Sequence, residues 1–250
     1  MDKYQMDIHI EWRIPDELVD AAFTPPTRSA QPTSIPARYA IISVDPAPSC
    51  RGIYAIASAV YIGDGSMLIV GMASRSVGSI DECQQMFVSH AAALRERLKD
   101  VHVYLAVEAT GSIDIPRCHE PWMIEAGYHV SQFTLVCGVC TSSSGHEPGV
   151  WMTKAAYRHA MGEFMDNMEK RRIHLARNVF SAHGHDSNAP NRAREQLKSF
   201  GDKPDVDALI LNLAVSQVMW DVAAINMFFG TGGPLEYPYS RLAVAGSILD

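Results

Sequence analysis

Long apolar runs are missing from this sequence. Its longest uninterrupted stretches fall far short of the ~20 residues that a membrane span requires. Yet 47% of the 250 residues are hydrophobic, enough to build a sizeable core. The opening residues, MDKYQMDIHIEW, hold no apolar signal-peptide core. Cysteine is scarce and odd in number: Cys50, Cys83, Cys118, Cys137 and Cys140. That fits a reducing compartment better than a disulfide framework. An excess of positive charge is also lacking. The formal charge of −7 counts against broad nonspecific affinity for nucleic acid, which rests on Lys and Arg displacing phosphate counterions. A local basic track remains open to it, through Arg158, Lys170-Arg171-Arg172, Arg177 and Arg192-Ala193-Arg194 to Lys198. No G-x-x-x-x-G-K-[ST] occurs, so there is no P-loop nucleotide site, and there is no internal repeat.

The apolar pattern that is present divides the chain. Residues 1–37 read as a tail or linker, with Pro25, Pro26, Pro32 and Pro36 among Thr, Ser and Gln. Residues 38–230 read as one domain, and 231–250 as a loose C-terminal tail. Residues 39–45 predict a buried strand, 53–61 an alternating second strand, and 67–73 a third, with a hairpin turn at Gly63-Asp64-Gly65. Ser79-Ile80-Asp81-Glu82 resembles a capping box and predicts a helix to about Leu98. A strand over 101–108 follows, then a helix over about 114–126 stopped by Gly127, and a strand from Tyr128 to Leu135. The spacing predicts a helix from Thr153 to about Lys170, a short strand near Arg172–Leu175, a loop over 181–191, and a last helix over about Pro204–Phe229. The order of elements implies an α/β fold: a mixed sheet, its first three strands antiparallel, with helices on both faces.

Three acids interrupt this apolar pattern. Asp45 ends the first strand, Glu108 ends the fourth, and Asp207 opens the late apolar run Asp-Ala-Leu-Ile-Leu-Asn-Leu-Ala. A carboxylate at the tip of a buried element is costly to desolvate. A hard divalent cation such as Mg²⁺ or Mn²⁺ offsets that cost through oxygen ligands. Two such ions ~4 Å apart serve phosphodiester hydrolysis, with a carboxylate on the central strand shared between them. Asp45 is the candidate for the shared position, Glu108 and Asp207 for one ion each. Asp205 competes with Asp207 as the third ligand. Taken singly, each acid also fits an ordinary role. Asp45 can cap turn amides, and Asp207 can cap a helix.

The order and context of the acids carry a resemblance. The matching segments are Ser43-Val44-Asp45-Pro46-Ala47, Ala106-Val107-Glu108-Ala109-Thr110 and Asp205-Val206-Asp207-Ala208-Leu209. To these are added Pro148-Gly149-Val150-Trp151-Met152-Thr153-Lys154 and Arg171-Arg172-Ile173-His174-Leu175. Over about residues 38–225 the chain resembles the nuclease domain of viral DNA-packaging terminase large subunits, closest to the herpesvirus-type branch, with the ribonuclease H-like fold. The resemblance implies a metal-dependent endonuclease that cuts concatemeric viral duplex DNA during packaging, using two divalent cations, Mg²⁺ or Mn²⁺. Asp45, Glu108 and Asp207 match the family's metal-binding carboxylates, and Lys154 matches a lysine near the site. The family often has adjacent acids in its third motif, here split as Asp205-Val206-Asp207. Implied partners are double-stranded DNA, the other terminase subunits and the capsid portal, in the nucleus of the host cell, with no membrane. The family's full-length protein also carries an N-terminal ATPase motor. This chain is accordingly expected to be a C-terminal domain, its N-terminal tail a remnant of the interdomain linker.

Several other features have plain structural readings beside the chemical ones. Cys137-Gly138-Val139-Cys140 has only His146 nearby to complete a zinc site, so small residues in a strand-to-loop segment are the expectation. His183, His185 and Asp186 could bind a transition metal or simply line a polar loop. Met152, Met161, Met165 and Met168 recur near helical spacing, which is more often core packing than an interaction stripe. Trp122 is expected to be buried, while Trp151 could stack on a base. Two other function classes stay open: an actin-like ATPase-fold phosphotransferase, whose phosphate loop would need a Gly that Asp45-Pro46-Ala47-Pro48 lacks, and a noncatalytic packaging or scaffold module.

Overall fold

The computed structural model describes residues 15–23, 37–46, 52–62, 66–109, 114–139, 149–150, 154–180 and 189–198. The first strand, β1 (Ala37–Asp45), pairs antiparallel with β2 (Gly52–Ile62), and β2 antiparallel with β3 (Met67–Val77). Helix α2 (Ile80–Arg97) returns the chain to the far end of the sheet. There β4 (Val103–Val107) enters parallel to β1, and β5 (Phe133–Leu135) parallel to β4. Between them lie α3 (Asp114–Glu125) and a 3-10 turn over Val130–Gln132. Two short strands, β6 (Cys137–Val139) and β7 (Gly149–Val150), pair with each other. Helix α4 (Lys154–Glu169) then leads to β8 (Ile173–Phe180), which joins the other edge beside β3. The six-stranded order is β5-β4-β1-β2-β3-β8, so five strands run one way and only β2 runs against them.

The apolar alternation of the strands explains why helices cover both faces. On β1, Ala40, Ile42 and Val44 join one core with Phe87 and Leu94 of α2 and Met123 of α3. Ile41 points the other way, into a second core with Met161, Phe164 and Met168 of α4. All five residues of β4 are buried, as expected of a parallel strand covered on both sides. Burying each large side chain in these layers contributes about 1.5–3 kcal/mol. The methionine spacing therefore reflects packing: Met161 and Met168 are buried, and Met165 packs against the same core. Met152 lies outside the described residues.

Local signals act largely as the sequence predicts. Ser79 caps α2 by accepting from the Glu82 amide at 3.3 Å, while the Glu82 carboxylate reaches back to the Gly78 amide at 2.7 Å. The mixed sheet with its antiparallel first three strands and helices on both faces is as expected. Four expectations need correction. The short strand expected near Arg172–Leu175 extends to Phe180 as β8. Within the stretch read as a tail lies α1 (Asp16–Phe23), whose Val19 and Ala22 enter the α4 core. The loop expected over 181–191 gives way at Ala189 to α5 (Ala189–Lys198), which buries Ala193 and Leu197. The strand expected from Tyr128 shortens to β5, because the 3-10 turn takes up Val130–Gln132. Arg194 of α5 donates to Asp20 of α1, tying the two unforeseen helices together. This half-exposed pair contributes at most ~1 kcal/mol, so the apolar contacts carry the docking. The helix expected over 204–229 lies outside the described residues.

Helix α4 ends in a Schellman turn. The Arg172 amide donates to Asn167 O at 2.8 Å and the Arg171 amide to Met168 O at 3.0 Å. Arg171 takes the left-handed position at φ 55°, where a Cβ is unfavourable. Replacing Arg171 by Gly should raise stability by about 0.5–1 kcal/mol, read as a higher urea midpoint with unchanged slope. Gly162 sits exposed inside α4 with open space around its Cβ position. Gly162→Ala should therefore stabilise by a similar ~0.5–1 kcal/mol in the same assay. A lower midpoint in either variant contradicts the local account.

Candidate metal centre at the ends of two parallel strands

The parallel ladder between β1 and β4 runs from Ala40↔Val103 to Val44↔Val107. The next residue on each strand is an acid. The Glu108 amide donates to Val44 O at 2.9 Å, so the two chains are still hydrogen-bonded where Asp45 and Glu108 stand. Adjacent strands lie about 4.8 Å apart, which sets the scale of separation between the two backbones. Strand alternation decides the face. Asp45 follows the parity of Ile41 and Ser43, and Glu108 that of Tyr104 and Ala106. Ile41, Tyr104 and Ala106 belong to the core beneath α4. Both acids therefore leave the α4 face of the sheet, side by side, at the end where five strands terminate. Each is partly exposed, while Val44 and Val107 behind them are fully buried.

The same face continues beyond the acids. Ala55 of β2 stands opposite Asp45. Ile53, two residues back on that face, is 49% exposed, an unusual place for a large aliphatic side chain. On β3, Ser74 and Ser76 pair with Ala55 and Ile53. The acids thus border an open ledge of small, hydroxyl-bearing and apolar residues. Sequence pattern alone did not single out this ledge, because these residues have no chemistry of their own.

Of the other candidates, Lys154 opens α4, four residues after Val150, which forms a parallel bridge with Glu108. Its side chain is not among those described. Asp205, Asp207, Trp151, Cys140, His146, His183, His185 and Asp186 lie outside the described residues. Cys137 is placed in β6 by its backbone. Trp122 is buried, as expected. Among the described residues no three His, Cys, Asp or Glu side chains gather to hold a metal. Two carboxylates do adjoin, and their donor chemistry suits a hard divalent cation that draws further ligands from elsewhere in the chain.

Two buried histidines belong to the opposite face. The His119 Nδ1 lies 2.8 Å from Ile115 O, a carbonyl that can only accept, so Nδ1 carries the proton. The unprotonated Nε2 then accepts from the Tyr54 hydroxyl at 2.6 Å. His90 Nε2 meets Ser58 Oγ at 2.7 Å. Burial pushes His119 down to about 4, opposed by its bond to Ile115. Burial, helped by the Arg97 charge, pushes His90 down to about 3. The His119 ring packs against Phe87 and Trp122, and His90 is buried on α2, on the face opposite the acids.

No protein-family model and no curated protein sequence matches the chain. Solved structures do. The nuclease domain of the human cytomegalovirus terminase, soaked with manganese and bound to an inhibitor, superposes with a TM-score of 0.63 at 14% identity, covering 85% of this chain and 97% of that one. The manganese-soaked domain gives 0.62 at 14%, covering 81% and 94%. A third structure of that domain gives 0.58 at 16%, covering 84% and 95%. The chain has the fold of a terminase nuclease domain. This ribonuclease H-like fold is the one anticipated from the sequence. In the terminase nuclease fold of this chain, β1 lies centrally with β4 beside it, which is what brings Asp45 and Glu108 together.

The buried histidines generate an acid-stability prediction. Their folded pKa values lie below the ordinary 6.5 of the unfolded chain. Between about 6.5 and 4 the unfolded state therefore binds more protons. Stability should fall as pH drops through that window and recover as pH rises, by up to ~1.4 kcal/mol per pH unit for each histidine. His119→Gln keeps a neutral group near Tyr54 and should flatten this slope in urea melts from pH 7 to 4. An unchanged slope would remove His119 from the account.

Proposed function

We propose that this domain is a metal-dependent endonuclease that cuts concatemeric viral duplex DNA during genome packaging. The observation that carries the reading is the pair of carboxylates, Asp45 and Glu108, on one face at the adjoining ends of β1 and β4, within a terminase nuclease fold. The manganese soaked into the cytomegalovirus domain supports a divalent cation as the cofactor.

In this mechanism Asp45, on the central strand, would be the carboxylate that serves both of two Mg²⁺ or Mn²⁺ ions. Glu108 would hold one ion and Asp207 the other, with Asp205 as the alternative third ligand. When bound, such ions activate a water and neutralise charge on the phosphate and on the leaving oxygen. The protein's own work is positional. The β1–β4 ladder holds Asp45 and Glu108 in a fixed relation before any ion arrives, so little reorganisation accompanies binding. Ile53, Ser74 and Ser76 offer the ledge along which a phosphodiester backbone lies, serine hydroxyls donating to phosphate oxygens. Lys154, at the start of α4, would either contact the scissile phosphate or tune a metal-bound water. The net negative charge leaves DNA capture to other components: an ATPase motor, further terminase subunits and the capsid portal, in the host cell nucleus.

With Mn²⁺ or Mg²⁺, the protein should convert supercoiled plasmid to nicked and linear forms with little sequence preference. Asp45→Asn, Glu108→Gln and Asp207→Asn should each abolish cutting while circular dichroism stays unchanged. Mn²⁺ at a hundredfold excess over its dissociation constant should stabilise the wild type by about 2.7 kcal/mol and leave the triple variant unmoved. Cutting retained by Asp45→Asn overturns the proposal. Stabilisation by ATP in place of Mn²⁺ would favour the actin-like phosphotransferase instead, and a folded protein indifferent to both would favour a scaffold.

A further inference from the structure

The acids are held from two sides, and the second side depends on a glycine. Beyond Val107, β4 loses β5 as its neighbour: the last link there is Val136 N to Leu105 O at 2.8 Å. The short strand β7 takes over. Glu108 bridges Val150 in parallel, and the Ala109 amide donates to Val150 O at 2.9 Å. The Gly149 amide donates back to Val136 O at 3.2 Å. Glu108 is thereby clamped between β1, through its own amide, and β7.

Gly149 has no substitute in this seat. Its φ is +99°, where L side chains are strained. A Cβ there would lie 2.6 Å from Pro116 Cγ of α3, 3.0 Å from Ala109 Cβ and 3.0 Å from Val107 O. The last two belong to or adjoin the backbone of the Glu108 segment itself and cannot swing aside. Any side chain at 149 must push β7 away from Glu108. Val150, fully buried under α4, anchors the other half of β7 and keeps the strand pressed in place.

We infer that Gly149 is a positioning residue that acts through Glu108: the close approach it permits sets the direction of the Glu108 carboxylate and so the affinity of the site for a divalent cation. The inference rests on the nuclease reading above. It is separate from that reading, because a metal site could exist with β7 serving only as padding.

A double-mutant cycle in the full chain distinguishes these. Manganese binding is read without DNA, by the melting-temperature shift and by the electron paramagnetic resonance signal of free Mn²⁺. Gly149→Ala should weaken manganese binding about 10- to 100-fold, the range typical when the support of a ligand is lost. Excess Mn²⁺ should restore cutting by Gly149→Ala and fail to restore it in Asp45→Ala. In the Gly149→Ala background, Glu108→Gln should add little further loss, because the carboxylate it removes is already misdirected. Gly162→Ala, a glycine with open space, should leave manganese binding unchanged. If Gly149→Ala does not fold, Pro116→Ala loosens the same seat more gently, and the cycle with Glu108→Gln is run on it. Additive losses, or an unchanged manganese half-point in the folded seat variant, overturn the positioning role. Absence of any manganese response in the wild type overturns the nuclease reading instead.

Discussion

Everything at the candidate site depends on the in-register parallel pairing of β1 with β4. Both strands are covered on two faces, so nearly every residue along them must be apolar. The first position that tolerates a charge is where the sheet runs out from under its helices. Because Val44 pairs with Val107, both strands reach that limit at the same level. The two acids therefore adjoin as a consequence of register. A slip of one residue would turn one carboxylate to the α2–α3 face and the pair would be lost. The core thus specifies the site. Hydrophobic burial selects the register, and the register selects which charges meet.

The two faces of the sheet serve different ends. The α2–α3 face is closed, and its polar groups answer one another: Tyr54 with His119, Ser58 with His90, Tyr128 with Ala91 O. Such buried hydrogen-bonded pairs tie the sheet to its helices at the cost of sensitivity to acid, since each ring must stay neutral to remain buried. The α4 face is closed only part-way along. Toward the strand ends, among the described residues, half-exposed Ile53 and partly exposed Ser74 replace the buried residues further back. One side of the sheet is scaffold and the other opens into a surface where chemistry is possible.

How much of this was legible in the sequence follows from the kind of signal each element leaves. The strands β1 to β4 and helices α2 to α4 declared themselves through sustained apolar periodicity and local caps. The acids declared themselves by breaking that periodicity at its ends. Helices α1 and α5 did not. Among the described side chains, each presents two fully buried ones, Val19 with Ala22 and Ala193 with Leu197, one helical turn apart. A stripe that narrow amid Asp, Glu, Asn and Arg is invisible as periodicity and becomes a helix only when β8 and α4 offer a surface. Strand β8 runs further than its apolar pattern indicates for a related reason. Its pairing jumps from Ile69↔Leu175 to Gly71↔Phe180, two positions on one strand against five on the other, which destroys the alternation. At the site, Asp45 and Glu108 could be read, whereas the clamp by β7 could not. Its meaning lies in a contact between positions 108 and 150 that no local pattern encodes.

The fold agrees with the cytomegalovirus domain at 14–16% identity, and the same reasoning explains how so few shared residues suffice. Most positions answer to constraints of class. A strand residue must be apolar and of fitting volume, and many residues qualify. Only a handful of positions answer to constraints of identity. Glycine must stand at 149, because backbone presses on it from Val107 and its φ excludes a Cβ. Identity-bound positions are therefore expected to crowd around the strand ends, while the rest of the chain is free to drift.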